Sequence, residues 1–148
     1  MRVVIQVVSE ASVSIDCQIY SQIQQGLLIF LGIEHSDTEQ DIAWLSKKIA
    51  NLRIFADENN QMNKSVIDVK GQLLVVSQFT LHAKTKKGNR PSFIEAARPE
   101  VAIPLYEAFV KRLSEDSQSQ VLTGQFGANM QVNLCNDGPV TIIIDSKN

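Results

Sequence analysis

The chain reads as an α+β domain: a twisted, β-barrel-like sheet accompanied by two main helices. Three observations lead there. Short β-branched or alternating segments are many, apolar residues recur at helical spacing in two stretches, and no linker, low-complexity tract or internal repeat interrupts the order. At 148 residues, one domain spanning 1–148 is the natural partition, because halving the chain leaves two marginal cores.

Val3 to Val8 has the β-branched run of a buried strand, and Ala11 to Ile15 alternates as a second. Gln18 to Ile23 and Leu27 to Gly32 follow as two more. Gln24-Gln25-Gly26 is the tight turn between them, with Gly26 expected at positive φ. The period then changes. Asp37-Thr38-Glu39-Gln40 carries helix-start signals, and Ile42, Leu45, Ile49 and Leu52 form a stripe, which predicts a helix from Thr38 to Leu52. Lys47 and Lys48 fall on its solvated side, and Trp44 is expected to pack at the apolar edge.

Arg53-Ile54-Phe55 reads as a short strand before a polar loop at Asp57 to Gln61. Gly71 opens the strongest strand, Leu73 to Leu81, and a charged loop runs from His82 to Arg98. A second helix is predicted from Glu100 to Leu113, with Leu105, Phe109 and Leu113 on one face and Pro104 in its first turn. Strands at Met130 to Cys135 and Val140 to Ile144 close the chain, joined through Asn136-Asp137-Gly138-Pro139.

Hydrophobic content of 44% and charged content of 20% are those of an ordinary globule. A net charge of −2 argues against a surface coated in positive charge for nonspecific nucleic-acid binding, while leaving a local basic patch open. Cys17 and Cys135 are expected as buried free thiols. With two histidines and two scattered cysteines, no zinc-ligand spacing is recognisable, so neither metal nor cofactor is expected. The apolar N-terminus, Met1 to Val8, is too short for a signal peptide or a membrane span, which predicts a cytoplasmic protein without membrane association.

Three features stand out. The first is Ser77-Gln78-Phe79-Thr80, polar and aromatic groups ending an apolar strand, where buried polar groups are costly unless satisfied or used. On spacing alone, a strand end entering solvent is the stronger reading. Backbone N–H groups freed there can also bind an oxyanion, and His82 lies close enough in sequence to serve Thr80 as a base. The second is Asn136-Asp137-Gly138-Pro139-Val140-Thr141, on its face a hairpin turn. The third is the stretch with Lys84, Lys86, Lys87, Arg90 and Arg98 against a single acid, Glu95. It is either a solvated loop or a phosphate-binding one, and Phe93 within it either stacks on a base or anchors the loop.

Together these features resemble the D-aminoacyl-tRNA deacylase family along nearly the whole chain. The resemblance rests on Ser77-Gln78-Phe79-Thr80-Leu81, Arg90-Pro91-Ser92-Phe93, Thr123-Gly124 with Phe126-Gly127-Ala128, and Met130 leading into Asn136-Asp137-Gly138-Pro139-Val140-Thr141. It implies a homodimer that hydrolyses the ester joining a D-amino acid, or glycine, to the tRNA 3′ end. Ser77, Gln78, Phe79 and Thr80 would wall the catalytic pocket. Gly138-Pro139 would be a cis dipeptide reaching into the partner's pocket as the chirality filter, with Met130 and Phe126 nearby. Lys84, Lys86, Lys87 and Arg90 would meet tRNA. Between a Thr80 nucleophile and a route assisted by the RNA 2′-hydroxyl, the resemblance favours the second.

One departure bears on stringency. Members of that family carry arginine after Ile-Gln near the N-terminus, where it helps fix the Gly-Pro element, and here the residue is Val7. Either Arg2 or Arg53 takes over, or L-substrates are rejected less firmly. Two other classes of function are weighed beside the deacylase: a non-catalytic tRNA- or RNA-binding module, and a small esterase built on a Thr80–His82 pair.

Overall fold

Strand β1 runs unbroken from Arg2 to Ile15 in the computed structural model, which describes residues 1–148. The sequence suggested two strands here, and the reason for one is a bulge. Val3, Ile5 and Val7 face one core, whereas Val8, Ala11 and Val13 face another. The register with the last strand slips between Gln6 and Val8 and again between Val8 and Glu10, so the alternation inverts without ending the strand.

The order continues with β2 (Gln18–Ile23), β3 (Gly26–Gly32), α1 (Glu39–Ala50), β4 (Phe55–Ala56), β5 (Met62–Lys64) and β6 (Gln72–Ser77). A 3-10 turn (Phe79–His82), α2 (Pro99–Ser117), β7 (Val121–Thr123) and β8 (Gln131–Asp145) complete it. Strands β2, β1, β3, β6 and β7 are neighbours in that order, and β8 pairs with the other edge of β1. The Ser21 hydroxyl on β2 donates to the Thr123 carbonyl on β7, drawing the two ends of the sheet together. The result is the barrel-like α+β fold the sequence predicts.

β3 and β6 are parallel, and their apolar runs point both ways. Leu27, Ile29, Leu31, Leu73 and Val75 pack beneath the helices, while Leu28, Leu74 and Val76 fill the barrel interior. Gly26 is required where these strands meet, for a reason other than the expected positive φ. A Cβ there would stand 1.9 Å from the Gln72 carbonyl oxygen, so only glycine allows the approach.

Helix α1 begins with a capping box between Thr38 and Asp41 and buries Ile42, Leu45 and Ile49 as predicted. Trp44 is 45% exposed rather than packed, with the Lys48 ammonium over its ring. Helix α2 starts earlier and ends later than predicted. Pro99 occupies its first turn, so Pro104 is interior and leaves the Glu100 carbonyl without its i+4 donor. Its buried face is Ala102, Tyr106, Phe109 and Leu113; Leu105 lies at the margin. The short strands β5 and β7 were not legible, being three residues each.

Both cysteines are exposed, against expectation. Cys17 sits in the β1–β2 turn, where Asp16 and Cys17 both take positive φ and no core is within reach. No helix is long and apolar enough to cross a membrane.

Candidate active site

The parallel strands β3 and β6 end side by side, and a cleft of about 300 Å³ opens at their carboxyl ends. Leu31, Val76, Ser77, Gln78 and Phe79 form one wall. Ala97 and Ala102, at the entry to α2, form a second, and Phe126 to Met130 form the third. The cleft contains no charged side chain. It therefore offers a ligand an apolar shape and the uncharged polar residues Ser77, Gln78 and Asn129.

Local chemistry explains each wall. The predicted strand to Leu81 stops at Ser77 because Gln78 breaks the ladder. Its N–H still reaches the Leu31 carbonyl at 2.8 Å, after which the chain tightens into the 3-10 turn. The Phe79 and Thr80 N–H groups, first in that turn, have no acceptor inside it. The turn is fixed from outside. Arg2 donates to the Leu81 carbonyl at 2.7 Å while its other nitrogens hold Asp145 at 3.0 and 2.8 Å.

Phe126 is braced from α2. Its ring meets Tyr106 edge-on at 5.7 Å, and the Tyr106 hydroxyl donates to the Val75 carbonyl at 2.8 Å. Burial raises the Tyr106 hydroxyl above its ordinary pKa, so this donor stays protonated. Met130 lines the same wall and packs into the barrel cluster.

Ser77, Gln78, Phe79, Phe126 and Met130 thus line one cleft. Thr80 is not on the cleft wall. It is exposed, and its hydroxyl accepts a hydrogen bond from Gln78 Nε2 at 2.6 Å. The Thr80–His82 pair does not form. His82 is buried, its Nδ1 faces Glu34 at 3.9 Å, and its Nε2 has no partner.

Gly138 and Pro139 are exposed and lie outside the cleft of their own chain. The segment is not the plain hairpin turn suggested by its residues. β8 is continuous, and Asp137 to Val140 loop out of it between the register pairs Val8↔Asn136 and Gln6↔Thr141. The Gly138–Pro139 peptide is cis, and Gly138 has φ of 131°. Neither Arg2 nor Arg53 substitutes at this loop for the guanidinium missing at position 7. Arg2 is committed to Asp145 and Leu81, and Arg53 to Asn63. Val7 itself is core, 5% exposed. Sequence reasoning missed Asn136, read as a turn former, whose side chain reaches the Val7 carbonyl.

The basic stretch is a loop pinned at its base by reciprocal Lys84–Ser92 backbone bonds of 2.8 and 3.0 Å. Lys84 is paired with Glu95, whereas Lys86, Lys87 and Arg90 are exposed and free of ion pairs. Phe93 packs against Phe79, which places the loop at the rim of the cleft. No group of three His, Cys, Asp or Glu is arranged to hold a metal ion.

Fold and site together define a class: small barrel-like α+β proteins with an uncharged, mostly apolar cleft at the ends of two parallel strands. A sequence profile of the family described as D-Tyr-tRNA(Tyr) deacylase matches residues 4–145, and the chain belongs to that family. A D-aminoacyl-tRNA deacylase of Flavobacterium psychrophilum is 64% identical over 148 residues, covering 100% of this chain and 99% of the relative. One from Bacteroides fragilis is 63% identical with the same coverage. A solved structure described as c-Myc DNA Unwinding Element Binding Protein matches with a TM-score of 0.92 at 40% identity over 98% of each chain. Another, described as a probable eukaryotic D-amino acid tRNA deacylase, shares the fold, with a TM-score of 0.85 at 17% identity over 97% of each chain.

Proposed function

We propose that this chain is a cytoplasmic, homodimeric deacylase that hydrolyses the ester of D-aminoacyl-tRNA and of glycyl-tRNA, releasing amino acid and tRNA. The observation that carries the reading is the cleft itself: uncharged, about 300 Å³, and walled by Ser77, Gln78 and Phe79 at a strand end. The names of the full-length relatives supply the substrate class.

In this reading the Gly138-Pro139 loop, outside its own cleft, enters that of a second copy. Its carbonyls hold the substrate ammonium, and its bulk occupies the space an L side chain needs, so selection is by clash and ignores which side chain is present. The Phe79 N–H, on the cleft wall, with the Thr80 N–H next to it in the chain, receives the developing oxyanion, and the terminal 2′-hydroxyl of the RNA, with a positioned water, assists ester cleavage. Lys86, Lys87 and Arg90, with Lys84, contact tRNA phosphates.

The test incubates the protein with D-tyrosyl-, L-tyrosyl- and glycyl-tRNA and follows the remaining ester. Loss of the D and glycyl esters with the L ester spared is expected. Binding of tRNA without ester loss would leave only an RNA-binding module. Thr80→Ala and His82→Ala should keep substantial activity, while replacing the terminal 2′-hydroxyl by hydrogen should abolish it. The reverse pattern would make Thr80 the nucleophile.

A further inference from the structure

One side chain, that of Asn136, bridges the loop at Asp137 to Val140 both to β1 and across its own base. Asn136 Nδ2 donates to the Val7 carbonyl on β1 at 2.8 Å and to the Val140 carbonyl, across the loop's own base, at 3.2 Å. A primary amide nitrogen has two N–H groups, and here each has an acceptor. The pairing also fixes which end of the carboxamide faces inward, since its oxygen would be repelled by both carbonyls. Four residues of β8 lie opposite Val7 alone, so backbone pairing with β1 is interrupted there. Asp137, Gly138 and Pro139 are exposed; Gln6 Nε2 on β1 also donates to the Thr141 hydroxyl just past the loop, at 3.2 Å, but Asn136 is the side chain that bonds both β1 and the loop's far end.

We infer that Asn136 is the positioning residue for stereochemical discrimination: it clamps the loop to β1 and so sets how far Gly138 and Pro139 project. The inference rests on the reading of these two residues as the filter. A loop held at both ends by one rigid amide presents its tip at a fixed height. With the clamp gone, the tip can retreat, and an L side chain that was excluded by clash gains room. The clamp works through main-chain acceptors, so it needs no particular side chain at position 7.

The experiment compares wild type, Asn136→Asp and Asn136→Ser on D-tyrosyl- and L-tyrosyl-tRNA, with thermal melts and amide hydrogen exchange alongside. Asn136→Asp keeps the shape but turns both donors into a carboxylate facing two carbonyls. Its D-to-L ratio of kcat/KM should fall at least tenfold, with L-ester cleavage rising in absolute terms and faster exchange at Asp137 and Gly138. Asn136→Ser, which keeps one shorter donor, should fall between and covers the case in which the aspartate variant does not fold. A merely less stable protein would lose both activities together, so a rise on the L ester separates positioning from scaffolding. A D-selective wild type with both variants equally selective overturns the inference and leaves the filter reading standing. A wild type that cuts D and L esters alike overturns the filter reading, and the clamp's proposed role falls with it.

Discussion

Phe79 and Phe93 meet edge to face, ring centroids 5.1 Å apart and planes inclined at 77°. This contact joins the cleft wall to the basic loop, whose backbone is otherwise tied between Lys84 and Ser92 and, at its far end, to Ile33 and Glu34. An edge-to-face pair contributes about 0.5–1.5 kcal/mol beyond its buried area. Phe93→Ala is therefore expected to lower kcat/KM for D-aminoacyl-tRNA by roughly 2- to 12-fold at 1.4 kcal/mol per tenfold. Since the loop's charges are untouched, the loss should be similar at low and moderate salt. An unchanged kcat/KM would mean that the rim contact does not couple loop to cleft.

The loop's cations are not equivalent. Glu95 already neutralises Lys84, while Lys86, Lys87 and Arg90 face solvent without acidic partners. Each phosphate contact adds about −0.7 to −0.9 to the slope of log K against log salt. The double variant Lys86→Ala/Lys87→Ala should weaken tRNA binding at low salt and flatten that slope by up to about 1.4–1.8. Lys84→Ala should flatten it less, because the Lys84 charge is already partly neutralised by Glu95 before it meets a phosphate. Equal effects from Lys84 and the pair would remove the distinction. Titrating tRNA binding from 50 to 200 mM salt, on the order used for such slopes, measures it.

Gly138 carries a backbone demand that no other residue meets. Its φ of 131° is one that L side chains rarely adopt, and an added Cβ would stand 2.7 Å from Val140 Cγ2 and 2.9 Å from Val140 N. The second contact is main chain and cannot rotate away. Gly138→Ala should therefore displace the loop, at a strain of about 1–3 kcal/mol, and reduce D-ester kcat/KM at least tenfold. The segment is exposed, so the melting temperature should change by only a few degrees. Lys111→Ala, at an exposed position on α2 that belongs neither to the loop nor to the cleft, serves as the control and should leave the rate alone.

Much of the fold was legible because its signals are local. The apolar runs of β3 and β6 and the 3.6-residue stripe of α1 state their burial directly. What failed depended on partners distant in sequence. The continuity of β1 and β8 requires two bulges to be matched across more than a hundred residues, and Gly26 answers to Gln72 rather than to its own turn. His82 reads as a loop residue and is buried because the 3-10 turn folds it toward Glu34. At the cleft, Ser77 to Phe79 announced themselves as polar and aromatic groups ending an apolar strand. Phe126 and Met130 carried no such mark and came only from the family resemblance. Asn136 was visible but misread: its backbone context suggested a turn, whereas its amide caps carbonyls on two segments.

The end of the chain is fastened by two acids, Asp41 on α1 holding Ser146 and Lys147 and Asp145 holding Arg2 of β1, which sets a pH dependence. Burial pushes the Asp41 carboxyl up. Hydrogen bonds from Lys147, Ser146 and the Thr38 N–H and hydroxyl outweigh that and hold it well below the usual carboxylate range. Asp145, also pushed up by burial, is brought below that range by the Lys147 N–H and by Arg2. A carboxyl depressed in the folded state contributes stability that is present above its unfolded pKa of about 3.9 and lost as pH falls toward the folded value. Wild-type melting temperature should thus be insensitive to these groups near neutrality and decline as pH drops below about 4. Asp41→Asn should melt lower than wild type at pH about 7, and the gap should narrow through the acid range, because the variant has no proton to take up there. Melts of both proteins from neutrality to about pH 2.5 decide it: curves that stay parallel throughout would show that Asp41 is not what ties Ser146 and Lys147 to the helix in acid.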